Sequence, residues 1–361
     1  MGEINIDANL VKNEITLSQT EEKLVEMANG CICCTLRDDL LQEVKRLWQE
    51  GKYDALIIES SGISEPVPIA QTFSYIDEES GIDLGQFARL DTMVTVIDAG
   101  NFLAHFWSEE TLADLKMWLG EHDERGIVNL MVEQIEFANV IILNKIDLVS
   151  PEEKKYILWV IRGLQADAKI IETTESQVDI SEIVDTGLFD YDSAARSPLW
   201  VKELESGWHH THTPETEEYW VSSFVYKRDI PFHPERFAKI CERNWPGVIR
   251  SKGIIWLASR NDFAGNWSQA GGSIRLDGLG RWMASFSHEE REAYSPIQNS
   301  EYEREYGNSR FWDRRIELVI IWVDMDNQAI IDMLDGALIT DDEAEDPESW
   351  SKMNDIFPAW M

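Results

Sequence analysis

Three short apolar runs, each ending in a polar side chain, constrain the fold of this chain more than any other feature. The first runs from Tyr53 to Glu59 (Y-D-A-L-I-I-E) and leads into Ser60-Ser61-Gly62. Asp91 to Asp98 (D-T-M-V-T-V-I-D) and Ala138 to Asn144 (A-N-V-I-I-L-N) repeat the pattern. Near-continuous runs of branched residues mark strands buried on both faces, and such strands belong to parallel sheets covered by helices. The spacing predicts helix over 109–136 and, after Pro151 at a first-turn position, over 151–165. Alternating strand and helix predicts an α/β, doubly wound parallel sheet whose strand ends converge on one ligand crevice.

The second constraint is chemical. Cys31, Cys33 and Cys34 lie within Gly30-Cys31-Ile32-Cys33-Cys34, and the only other cysteine is Cys241. Directly after them, apolar residues at 36, 40, 41, 44, 47 and 48 follow the spacing of one helical face, and Thr35 with Asp38 resembles a capping pair. The positive end of that helix favours thiolate, the form that binds soft or borderline metals. A closed zinc site needs four ligands, and no second Cys-x-x-Cys exists to complete one. A redox pair of Cys31 with Cys34, and plain packing of small apolar side chains, are the other readings. An incomplete thiolate set suits metal that is handed on better than metal locked in place. Softness favours zinc or cobalt without separating them.

The 361 residues are 43% hydrophobic, enough for two cores. A net charge of −35 argues against nucleic acid and anionic membranes as partners, and is compatible with cations and basic protein patches. Clustered, otherwise scarce cysteines imply reduced thiols and a cytoplasmic setting. No signal peptide and no apolar run near about eighteen residues is found, so a soluble chain is expected.

From about 185 to 218 the texture turns to Asp, Ser, Gly, Pro and His, the mark of a linker or exposed loop. It carries His209, His210 and His212, side chains able to capture a metal transiently; three histidines in an exposed loop more often do nothing. His105 is a weaker metal candidate near the strand end at Asp98. Beyond the linker, 220–226 and 315–323 read as strands, and 234–243 and 326–335 as helices, giving a smaller α+β domain. More than half of the fifteen tryptophans lie from 245 onward and are expected to pack a core rather than bind. The acidic tail over 340–348 is expected to be exposed or frayed.

Asn144-Lys145-Ile146-Asp147 follows a buried strand directly. A carboxylate can accept both the ring N–H and the exocyclic amine of guanine, a pairing adenine cannot offer, while a lysine stem lies along the base. Glu59, followed by Ser-Ser-Gly, is placed like an acid holding a magnesium-bound water near a terminal phosphate; a solvated strand-end glutamate is the plainer reading.

Together G-C-I-C-C, I-I-E-S-S-G-I-S-E-P, V-I-D-A and N-K-I-D, followed by a second domain, resemble the CobW-type family of P-loop GTPases, metal chaperones and insertases. F-H-P-E-R-F, W-P-G-V-I-R-S-K-G and W-S-Q-A-G-G are most similar to its zinc-chaperone branch. The resemblance implies a P-loop-NTPase-like sheet over 1–185, a linker over 186–218 and a CobW C-terminal domain over 219–361. It makes Cys31, Cys33 and Cys34 metal ligands with Glu3 as an oxygen ligand, Glu59 the Walker B acid, and Asn144, Lys145 and Asp147 the guanine contacts. The family's G-x-x-x-x-G-K-[ST] loop is absent from these 361 residues, and Met1 falls where the family is already past its second strand. An N-terminally shortened form is therefore expected, binding GTP poorly and hydrolysing it hardly at all, with the neighbours of the missing first strand exposed. The implied function is GTP-dependent delivery of zinc to a client metalloprotein, with GTP and magnesium as cofactors of the full-length form. A non-catalytic metal-binding adaptor, and a cobalt or iron insertase such as a nitrile hydratase activator, are the alternatives.

Overall fold

The computed structural model describes residues 36–60, 62, 64–74, 84–108, 126–196, 198, 201–202, 221–243, 245, 247–294, 302–307, 309–323 and 326–360. The helix expected after the cysteines is α1 (Leu36–Glu50); Val44 on its inner face packs with Ile69 and Phe73 of α2 (Pro66–Ser74) and the partly buried Phe87. Cys31, Cys33, Cys34 and Glu3 lie outside the described residues, as do His209, His210, His212 and the 109–125 part of the expected helix.

Three parallel strands follow in the order β1 (Val94–Asp98), β2 (Val140–Asn144), β3 (Lys169–Glu172), with Asp98 beside Asn144 and Leu143 beside Glu172. The parallel sheet and two of its three expected strands stand as read. Between them run α3 (Ala99–Phe106), capped by Asp98, and α4 (Ile127–Glu136). After β2, α5 (Pro151–Leu164) opens on a capping box in which Ser150 and Glu153 satisfy each other's backbone N–H groups, with Pro151 in the first turn.

The reading of 53–59 as a buried strand is corrected. Residues 55–60 are in no regular structure, and Leu56 and Ile57 are 46% and 65% exposed. The physical reason is the edge of the sheet. No described strand pairs with the outer side of β1, where Val94 and Val96 are 37% and 61% exposed, so the apolar run has no hydrogen-bonding neighbour.

After α6 (Tyr191–Arg196), within the stretch read as a linker, the second half forms an antiparallel sheet in the order β4-β8-β5-β6-β7. Its strands are β4 (Val221–Arg228), β5 (Val248–Ile255), β6 (Phe263–Ala270), β7 (Ser273–Arg281) and β8 (Ile316–Val323). Helices α7 (Pro234–Cys241), α8 (His288–Tyr294) and α9 (Asn327–Asp335) are among those that accompany it. In β8 the side chains alternate between two cores. Ile316, Leu318, Ile320 and Trp322 face a cluster built on Trp256, Trp267, Phe232 and Phe237, while Val319, Ile321 and Val323 face α4 and α5. The tryptophans are core, as expected: Trp256, Trp267 and Trp350 are fully buried.

The tail is not frayed. Thr340 and Glu343 make a capping box on α10 (Asp341–Ala344), Glu343 pairs with Arg236 of α7, and Trp350 plugs the tryptophan-rich core. Two glycines explain how the halves close on each other. A Cβ on Gly163 of α5 would come within 2.9 Å of Ile249 Cδ1, and one on Gly271 at the β6–β7 turn would overlap the carbonyl of Phe106 at the end of α3. Gly271 also has φ +49°, which a side chain rarely adopts.

Candidate nucleotide-base site

The parallel register sets Asp98 and Asn144 side by side at the C-terminal ends of β1 and β2, so the loops that follow them meet. Asn144 uses both ends of its carboxamide on the loop after β3. Its Nδ2 donates to Ser176 Oγ at 2.7 Å, and its Oδ1 accepts from Ser176 N at 2.9 Å. Lys145 has φ +60°, and its Nζ donates to Asp98 Oδ2 at 2.8 Å. Asp98 Oδ1 accepts from Gly100 N at 2.9 Å, capping α3, and Asn101 donates to Oδ2 at 3.0 Å. The Lys145 bond first, helped by Asn101 and Gly100 against partial burial, holds the Asp98 carboxyl below its ordinary range.

Five non-glycine residues among those described have positive φ, and three of them, Lys145, Glu175 and Ser176, belong to this pair of loops. Backbone strain of that kind persists where the surroundings over-determine it, and here it is fixed by the Asn144 and Asp98 bonds. Asp147 follows in a short 3-10 turn over Ile146–Leu148. It is exposed and hydrogen-bonds no described residue, leaving a carboxylate with full acceptor capacity beside a lysine stem whose charge is already paired. That pair of acceptor oxygens fits a purine edge bearing two N–H groups.

The structure thus brings Asn144 and Lys145 together with Asp98 and Ser176, and leaves Asp147 on the same loop. It does not bring Glu59 into that arrangement. Glu59 is exposed on the unpaired segment and bonds to no described residue, so the phosphate end of a nucleotide has no described counterpart to the base end. His105 lies in the last turn of α3, the helix that Asp98 caps, about 10 Å of helix beyond that strand end. Cys241, a free thiol at the end of α7, is pushed up to about 12 by burial. Among the described residues, no group of three or more His, Cys, Asp or Glu could hold a metal ion. No described helix is long and apolar enough to cross a membrane.

Asp98 and Ser176 escaped the sequence reading. Asp98 is visible as the end of a strand and within V-I-D-A, but neither assigns it a partner. Ser176 follows K-I-I-E, a four-residue strand too short to stand out; recognising β3 would have set its loop beside that of Asn144.

The CobW/HypB/UreG nucleotide-binding domain matches residues 1–172, and the cobalamin synthesis protein CobW C-terminal domain matches 221–338. A zinc-regulated GTPase metalloprotein activator 1 of Dictyostelium discoideum is 42% identical over 354 residues, covering 95% of this chain and 73% of that protein. Zinc chaperone Rv0106 of Mycobacterium tuberculosis is 26% identical over 350 residues, covering 94% of this chain and 81% of that one. Among solved structures, the Zn(II)-bound YjiA GTPase from E. coli aligns over 86% of this chain and 78% of its own at 18% identity, with a TM-score of 0.34. With both domain matches in order and the Dictyostelium discoideum protein 42% identical along 95% of this chain, the chain belongs to the family that joins a CobW/HypB/UreG nucleotide-binding domain to a CobW C-terminal domain.

Proposed function

We propose that this protein is a guanine-nucleotide-linked metallochaperone that passes zinc to a client metalloprotein. The observation that carries the reading is the base-end geometry: Asn144 clamps the Ser176 loop, Asp98 holds the Lys145 ammonium, and Asp147 stays open. A guanine would give its ring N–H and amine to Asp147 and lie against the Lys145 stem. The relatives named for zinc, together with three thiols ahead of α1, support zinc as the cargo, with Cys31, Cys33, Cys34 and Glu3 as its ligands. Three thiolates and one carboxylate make a borderline-soft set that zinc or cobalt fits. GTP with magnesium would bias the segment bearing Glu3 and the cysteines, so metal affinity would differ between nucleotide states and hydrolysis would release the metal. Glu59 is the proposed acid on the magnesium-bound water.

One observation favours a second reading. Glu59 lies on an exposed segment outside the sheet, as suits a metal-binding adaptor without hydrolysis. Titration of the reduced protein with zinc and with cobalt, with and without GTP and magnesium, separates the two. The chaperone reading expects stoichiometric binding that GTP alters and that a Cys33→Ser, Cys34→Ser variant loses. Binding untouched by GTP would leave the adaptor, and binding unchanged in the variant would remove the thiolate site altogether.

A further inference from the structure

The segment bearing Glu59 has no support from the sheet, yet the chain just beyond it is held. From α4, Gln134 Nε2 donates to Gly62 O at 3.0 Å and to Ser64 O at 2.9 Å. Two residues on, Glu136 is buried against Arg250 of β5, with Arg250 Nε to Glu136 Oε1 at 2.8 Å. Arg250 is itself fixed by bonds to Ser268 Oγ at 2.9 Å and Gln269 O at 3.3 Å. The same helix therefore grips the loop with one side chain and the C-terminal sheet with another.

A third side chain of α4 lies in the same surroundings. The Glu133 carboxyl is pushed above its ordinary range by burial first, then by Glu65 on the loop and by Glu136, against the pull of Arg250 and Lys252.

We propose that Gln134 is the positioning residue for the Glu59 segment, and that the Glu136–Arg250 pair makes its hold depend on where β5 sits. Displacing β5 relative to α4 then frees the loop over 62–65, and fixing β5 holds it in place. The proposal takes its meaning for nucleotide chemistry from the role given to Glu59, but the mechanical link stands apart from it.

Hydrogen–deuterium exchange on the full chain tests the link without nucleotide or metal. Gln134→Leu is expected to speed exchange over 60–66 about tenfold while α1 is unaffected, and Gln134→Lys, which keeps N–H donors, to restore most of the protection. The double variant Glu136→Leu, Arg250→Met removes both buried charges and leaves neither unpaired. It is expected to loosen the same loop as Gln134→Leu does. If that variant does not fold, Glu136→Gln, which weakens the pair, is expected to give a smaller change of the same sign. Unchanged exchange in Gln134→Leu overturns the positioning role. Loosening there but not in the Glu136 and Arg250 variants overturns the dependence on the C-terminal sheet. Loss of zinc or nucleotide binding in the native chain would leave both results standing.

Discussion

Asn144 and Glu343 illustrate two kinds of side-chain evidence. Asn144 was legible because it heads a four-residue motif after a buried strand, and the structure gives it a task the motif does not spell out, joining two loops through Ser176. Glu343 was read as one more acid in a solvated tail. Arg236, at 2.5 Å, is the main cause holding its carboxyl down, from the ordinary 4.5 to about 2, with the Thr340 backbone N–H assisting against partial burial. A carboxyl lowered in the fold stabilises above its unfolded pKa, and that contribution fades as pH falls through the folded value. The native protein is therefore expected to melt above a Glu343→Gln variant at pH 6–7, with the gap closing between about pH 4.5 and pH 2. Thermal melts of both proteins across that range check it; a gap independent of pH would reject the assignment. Charge composition alone could not reveal this carboxylate, because its partner is distant in sequence.

At the scale of elements, periodicity found what is local and missed what needs a neighbour. β2 reads as V-I-I-L-N and is buried along four of its five residues, as its composition implies. The run over 53–59 has the same local character, yet a strand exists only when another strand accepts its hydrogen bonds, and β1 presents an outer edge with no described partner. An exposed edge carrying Val94 and Val96 invites pairing with other chains. Val96→Lys is expected to reduce concentration-dependent self-association, measured by light scattering at neutral pH, without lowering the melting temperature by more than a degree or two. Equal association in the variant would mean that this edge is already protected. The tail shows the opposite error: its six acids masked a capping box and the Glu343–Arg236 pair, because net charge says nothing about where one carboxylate goes.

Across the whole molecule, the two halves that the sequence separates by a polar linker share one core. Val319, Ile321 and Val323 of β8 are buried in the same cluster as Ile135 of α4 and Val160 and Ile161 of α5. The unbroken apolar run of β8 carried that information, since an antiparallel strand with one wet face would alternate. What it could not say is which surface covers the second face. Gly163 allows the approach, and Gly163→Val would drive two methyl groups into Ile249 and Val221. The variant is expected to cost about 1–3 kcal/mol and to lower the melting temperature of the whole chain in one transition. Two separate transitions in the native protein by calorimetry would contradict a shared core.

The proposed nucleotide linkage depends most on the strand-end loops holding a guanine base through Asp147. Xanthine carries a carbonyl where guanine carries its amine, so an amide at 147 matches it as a carboxylate matches guanine. Competition between guanosine and xanthosine diphosphate, followed by equilibrium dialysis, is the direct test. The native protein is expected to favour the guanine nucleotide and Asp147→Asn the xanthine one, each by about tenfold or more. A preference that stays the same in both proteins would contradict the site.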